Sequence, residues 1–203
     1  MGMNAGYHGC DHAKYKPAGT GTAVTPIDYV KNISLDPQIN KTPQYANNRM
    51  VLNLISDNGF TGNLGVTAKD PELEKAIGRA IEMSSGIGIV GGAGVTRLDG
   101  IYYEYKEERE KGKPIVKKVW LLNVELSPAS ENAATDTDSI TFGEYIYPIT
   151  IYGETVKDSA GTDDYIDEDG NRLTCYMIIS SPDDTDYANF EKTVPVPKVA
   201  TEE

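Results

Sequence analysis

Leu121-Leu122-Asn123-Val124-Glu125-Leu126, the connector Ser127-Pro128-Ala129-Ser130-Glu131-Asn132-Ala133-Ala134-Thr135, and a β-type run over residues 140–152 that closes at Gly153 decide the fold. Side chains in a strand alternate with period 2, so Trp120, Leu122, Val124 and Leu126 fall on one face of the first segment. In the second, Tyr145, Tyr147, Ile149 and Ile151 share a face, while Glu144 and Thr150 take the other. The polar connector and Asp136-Thr137-Asp138-Ser139 lie between them, with nothing in the form of a catalytic loop. Two long strands joined by an ordered polar loop read as scaffold.

The 203 residues suffice for one buried core with arms. Thirteen Tyr against three Phe and one Trp, with 20 Gly and 11 Pro, favour an all-β chain rich in turns. A formal charge of −12 argues against gripping nucleic-acid phosphates. It leaves open a protein past which DNA slides without sticking, since like charges repel. No stretch approaches the ~20 apolar residues that cross a bilayer, and the first residues lack the apolar core of a signal peptide. Two cysteines make no disulfide framework. The expectation is a chain made in the cytosol and not exported by the Sec route.

Working outward, residues 1–23 are Gly-rich and polar and read as an N-terminal arm. Ile27, Tyr29, Ile33 and Leu35 alternate with Asp28, Asn32 and Ser34 as a half-buried strand, with Lys31 as a polar intrusion. Pro37 and Pro43 punctuate a long polar loop over 36–48, a length that is usually functional or ordered by a partner. A strand over 49–55 and a turn at Ser56-Asp57-Asn58-Gly59 follow. Phe60, Gly62, Leu64, Val66 and Ala68 then give the cleanest alternation in the chain.

Asp70 predicts an N-cap, with Pro71 first in a helix and Glu72 and Glu74 near its positive end. Leu73, Ala76, Ile77, Ala80 and Ile81 form an apolar stripe that carries this helix to Ser84-Ser85-Gly86. Gly86-Ile87-Gly88-Ile89-Val90-Gly91 matches the G-x-G-x-x-G pattern, but that motif needs a strand before it and a helix after it. The order here is the reverse, so the segment reads as a flexible loop. Residues 101–126 read as a hairpin whose charged tip, 106–113, is solvated.

Asp167-Glu168-Asp169-Gly170-Asn171 echoes a calcium loop, but twelve positions from Asp167 stands Ile178 instead of the closing Glu. A hairpin turn at Asp169-Gly170 fits better, finished by Leu173, Cys175, Met177 and Ile179. Residues 191–203 read as a flexible C-terminal tail. Cys10, His12 and nearby His8 lack a fourth zinc ligand at usable spacing. No nucleophile elbow or P-loop occurs. The sequence points to no catalytic, cofactor or metal site.

These residues together resemble the major tail, or tail tube, proteins of long non-contractile-tailed phages of Gram-positive bacteria. Ile33-Ser34-Leu35-Asp36-Pro37 looks like the family's strand entering its long loop, and Tyr45-Ala46-Asn47-Asn48 sits at its Tyr-Ala-Asp-Asp-type segment without the acidic pair. Gly59-Phe60-Thr61-Gly62-Asn63-Leu64 is similar to its Gly-aromatic-Thr-Gly strand, followed by the Pro-initiated helix at Pro71. Residues 127–135 look like its Pro-x-x-Glu-x-Ala-x-Thr linker, and Tyr187-Ala188-Asn189-Phe190 like its C-terminal aromatic segment. The resemblance spans roughly residues 27–190.

It implies a mainly-β fold, a β-sandwich over 24–190 with one flanking helix. Six copies would form a ring, and rings would stack into the hollow tail tube of a virion. Inter-ring contact would fall to Asp36, Pro37, Gln38, Tyr45, Asn47 and Asn48. Core and inter-subunit strands would carry Phe60, Leu64, Val66, Trp120, Leu122, Val124, Ile149 and Ile151. Partners would be copies of itself, a tape measure protein, a tail terminator and baseplate or distal tail proteins. Genomic DNA would pass through unbound, and no membrane would be involved. Six copies of −12 give −72 per ring, an acidic bore that repels phosphates within about 10 Å. Two other readings stand beside this one: an adhesin-like or receptor-binding β-sandwich, and a small hydrolase with an acidic site.

Overall fold

The computed structural model describes residues 6–19, 21, 23–46, 49–91, 94, 96–110, 112–132 and 143–200. They form β1 (Gly6–Pro17), β2 (Thr25–Pro26), β3 (Val30–Ala46), β4 (Arg49–Val66), α1 (Pro71–Ala76), β5 (Ala80–Met83) and β6 (Gly86–Ile89). Then come β7 (Leu98–Glu108), β8 (Pro114–Leu126), β9 (Ser130–Asn132), β10 (Glu144–Ile151), β11 (Glu154–Thr155), β12 (Thr174–Cys175), β13 (Met177–Ser180) and a 3₁₀ turn, Tyr187–Lys192. The chain is mainly β, as expected.

One antiparallel sheet runs β2-β1-β7-β8-β10-β4-β3, with β13 added to β8 and β9 to β10. It curls on itself. Ala13 and Tyr15 of β1 share a buried cluster with Leu64 and Val66 of β4, although three strands separate them in the order. Where the sheet's two ends meet, Cys10 of β1 and Ile33 of β3 line one groove. Leu73 of α1 and Ile77 at its C-cap enter the same cluster.

The face assignment holds for β10, where Tyr147, Ile149 and Ile151 are buried in the main cluster and Tyr145 packs against it. In β8 it fails at one residue. Trp120 and Leu122 join Tyr102 in a second cluster on the outer face, whereas Leu121, Val124 and Leu126 lie in the main one. Asn123 has φ +51°, which turns the backbone over and reverses the alternation. Its amide then donates to the Gly153 carbonyl at 3.2 Å. Of the connector, β9 pairs Ser130 to Ile146 and Glu131 to Tyr145, while 133–142 lie outside the described residues.

Further sequence expectations are corrected. Residues 36–46 are not a loop: β3 and β4 are one long hairpin, paired from Val30↔Val66 to Ala46↔Arg49. Pro37 and Pro43 are tolerated because β3 ends the sheet order, where a missing outward N–H costs no ladder bond. Ser56-Asp57-Asn58-Gly59 is a bulge in β4 instead of a turn, since the pairing passes from Ile39↔Asp57 to Pro37↔Phe60. Gly59 takes φ +87° there, and its N–H donates to the Asp57 carboxylate at 3.0 Å.

The helix stops at Ala76. Gly78, at φ +75°, closes it with paired bonds from Gly78 N to Lys75 O and from Arg79 N to Glu74 O, a Schellman cap. Asp70 caps the start as expected, accepting from Glu72 N at 2.9 Å. The Gly86 segment forms β6, hydrogen-bonded to β5, and is no loose loop. Residues 6–17 of the expected arm are a strand of the main sheet, bonded along β7. Residues 191–200 are no free tail: Lys157 N donates to Pro197 O at 2.8 Å and Val199 N to Lys157 O at 3.1 Å.

The hairpin expected at 101–126 is present: β7 and β8 pair from Leu98↔Val124 to Glu108↔Pro114. So is a turn at Asp169-Gly170, closed by Gly170 N to Asp167 O at 3.0 Å. Cys175, however, pairs with β11 and Met177–Ser180 with β8 instead of finishing a hairpin there. Among the described residues, no helix is long and apolar enough to cross a membrane.

Candidate assembly surfaces

The long hairpin leaves the body near the bulge. β10 pairs with β4 only from Phe60 to Val66. Residues 39–46 and 49–57 therefore have no strand partner but each other among the described residues. Residues 36–43 are exposed without interruption, and Ile39 is 52% exposed. A two-stranded ribbon without a third strand is marginal in water. Its sequence differs from the rest of the chain: residues 37–56 hold Lys41 and Arg49 and no acid. Residues 37–56 thus carry +2 and the remainder, with Asp57 at the ribbon's base, −14, which together make the −12 of the whole.

Four of the six candidate contact residues lie on described backbone. Asp36 pairs with Thr61 and Pro37 with Phe60 at the arm's root, and Gln38 Nε2 donates to Thr61 Oγ1 at 2.8 Å. Tyr45 pairs with Met50 near the tip, and Asn47 and Asn48 lie outside the described residues. The eight candidate strand residues are brought together differently. Leu64, Val66, Val124, Ile149 and Ile151 are buried in the main cluster, and Trp120 and Leu122 in the second. Phe60 is half-buried, edge-on to Tyr176 at 5.7 Å. The side chains of the two clusters are buried within the chain itself and are not exposed to a second copy.

Two further surfaces were not legible from motifs. The first is the β5–β6 hairpin, with Ile81, Met83, Ile87 and Ile89 exposed. The second is a groove of about 680 Å³ where β1 and β3 meet, lined by Tyr7, Cys10, Ile33, Leu35, Tyr105 and Ile179 among others. Tyr7 stands edge-on to Tyr105 at 6.1 Å. Burial, and secondarily the Asp11 charge, pushes the Cys10 thiol up to about 11, so it is not an activated nucleophile. His12 Nδ1 lies 3.3 Å from Glu104 and His8 Nε2 4.0 Å from Glu108. Among the described residues no three metal-ligating side chains converge.

Several charges elsewhere are self-paired. At the 106–113 tip, Glu107 meets Arg109 at 2.6 Å and Lys117 at 3.7 Å, and Lys113 meets Glu110 at 3.0 Å. Arg109 first, then Lys117, holds the Glu107 carboxyl below its usual range. In the acidic loop, Asp167 Oδ1 accepts the Asp169 and Asn171 N–H groups, an oxygen turned to its own backbone. Buried Glu74 accepts from Tyr147 Oη at 2.5 Å. Burial first, and the carboxylate second, push that phenol well above its usual range.

No family model matches the chain, and no curated protein matches it.

Proposed function

We propose that this chain is a structural subunit that assembles with copies of itself into the hollow tube of a phage tail, without catalytic activity. The observation that carries this reading is the β3–β4 arm, a ribbon paired only to itself, locally cationic, on a chain that is otherwise strongly acidic. At ~3.4 Å per residue the arm runs ~34 Å beyond Pro37, and two faces ~10 Å wide offer ~700 Å². That is close to the ~800 Å² per partner of a stable interface. The family resemblance supplies the rest: six copies per ring, rings stacked through the arm, and DNA passing along an acidic bore. Tape measure, terminator and distal tail proteins would be the other partners, and the virion tail the location.

Electron microscopy of concentrated protein, with and without tail initiation components, tests it. Hollow sixfold tubes are expected, and their loss when residues 39–56 are replaced by a two-residue turn. A chain that stays monomeric under both conditions overturns the reading. The aromatic groove beside Tyr7 and Tyr105 favours one rival, a receptor-binding β-module. A glycan or peptide protecting that groove in a protein that never assembles would establish it instead.

A further inference from the structure

Ile81, Met83, Ile87 and Ile89 are 54%, 53%, 46% and 61% exposed on a single short hairpin. Scattered apolar side chains at a surface need no explanation, but four on one ribbon do. Cross-strand partners share a face, so Ile81 and Met83 lie beside Gly88 and Gly86, while Ile87 and Ile89 lie beside Glu82 and Ala80. The Ile81–Met83 face is thus apolar and open, and the other face exposes Ile87 and Ile89 beside Glu82 and the buried Ala80. The hairpin's one charge, Glu82, already sits 3.6 Å from Lys75.

The β1–β3 groove has the opposite shape and the same chemistry. Tyr7 is 81% and Ile179 47% exposed at its mouth, and its volume of about 680 Å³ falls in the range that takes up a small apolar ligand. Its cation Lys31 is paired to Glu144 at 2.9 Å. Two chains of −12 repel wherever unpaired charges meet. These surfaces are largely apolar and hold little charge, Lys75 being shared between Glu82 and Glu72. They are where such chains can touch.

The hairpin cannot fill its own groove. Thr96 N is bonded to Ile77 O beneath the hairpin, and β7 starts at Leu98. It reaches the groove at Tyr105, ~24 Å further on at ~3.4 Å per residue.

We propose that the β5–β6 hairpin of one copy seats in the β1–β3 groove of a second copy. Each copy then gives one hairpin and receives another, a head-to-tail contact that closes into a ring or extends into a stack. The inference rests on the self-assembly reading and names a contact separate from the arm.

The test uses wild-type particles first. Particles grown from mixed ¹⁵N and ¹⁴N protein are treated with an amine cross-linker, and an inter-copy Lys75–Lys31 link is expected. In a Cys10→Ser, Cys175→Ser background, Ile87→Cys protein mixed with Ile179→Cys protein should give an oxidised dimer at least tenfold above either alone. Ile81→Asp with Met83→Asp should lower assembly at least tenfold while leaving Trp120 fluorescence unchanged. Particles that form without either link overturn the hairpin contact and leave the assembly reading standing. Dimers as abundant from Ile87→Cys alone overturn it in favour of hairpin-to-hairpin pairing. Wild-type protein that forms no particles, even with initiation components, removes both readings together.

Discussion

The Tyr147 hydroxyl is what satisfies the carboxylate of Glu74, a group taken out of water at the mouth of the core. Removing one partner of a buried pair leaves the other's full desolvation cost, which exceeds the net worth of the bond. Tyr147→Phe should therefore destabilise by about 1–3 kcal/mol. Adding Glu74→Leu should recover part of that loss, and urea unfolding of the two single mutants and the double checks the coupling. Gly78 offers a second test. Its φ of +75° is left-handed, and a Cβ there would come 2.9 Å from Thr96 Oγ1, so Gly78→Ala should cost about 1–2 kcal/mol. On a chain of this size a loss of 1 kcal/mol lowers the melting temperature by about 2–4 °C. Gly78 was readable as a helix stop, because it stands one residue past Ile77, but the apolar stripe through Ala80 and Ile81 outweighed it. Asn123 carried no such signal: asparagine tolerates the left-handed region, yet nothing around it says that the strand turns over there.

Elements were legible where alternation met burial and illegible where a strand stands alone. Residues 60–66 and 145–151 were found because one face of each is packed, which is the physical origin of period 2. Residues 36–43 of the arm are exposed without interruption, so its prolines and polar residues gave the pattern of a loop. The segment 191–203 read as a tail because its apolar residues make no stripe, although Val194, like Phe190 before it, packs a side chain on the second cluster. Trp120 Nε1 donates to Phe190 O at 2.7 Å, and Lys118 Nζ to Tyr187 O at 3.0 Å. One charge pair ties this turn to β1, Lys14 to Glu191 at 2.6 Å. Lys14 first, with smaller help from Lys118 and His12, holds the Glu191 carboxyl below its ordinary value of 4.5. The unfolded state therefore takes up the proton first as pH falls. The pair's contribution is fully present above about pH 4.5 and is lost as pH drops through the lower folded value. An acid titration followed by Trp120 fluorescence should show the turn loosening below pH 4.5, and Glu191→Gln should remove that component. An unchanged titration in the variant would place the docking on the hydrogen bonds alone.

On the scale of the molecule two electrostatic effects oppose each other, and salt separates them. Copies of −12 repel over the Debye length, about 30 Å at 0.01 M salt and about 8 Å at 0.15 M. The cationic arm, with Lys41 and Arg49, is drawn to the −14 of a neighbour's remainder, but only at close approach. At low salt the long-range term reaches across the whole subunit and dominates, so encounter is slow. Raising salt to 0.15 M cuts the repulsion before the short-range attraction, and assembly should accelerate several-fold. Toward 1 M the Debye length shrinks to about 3 Å. The arm's attraction is then screened as well, and the rate should level off or fall. Lys41→Gln with Arg49→Gln should keep the rising limb, which belongs to the body charge, and lose the decline at high salt, which belongs to the arm. Light scattering across a salt series distinguishes these cases. A wild-type rate that falls from the lowest salt upward would mean that opposite-charge contacts govern encounter, and the acidic loops rather than the apolar surfaces would then be where copies meet.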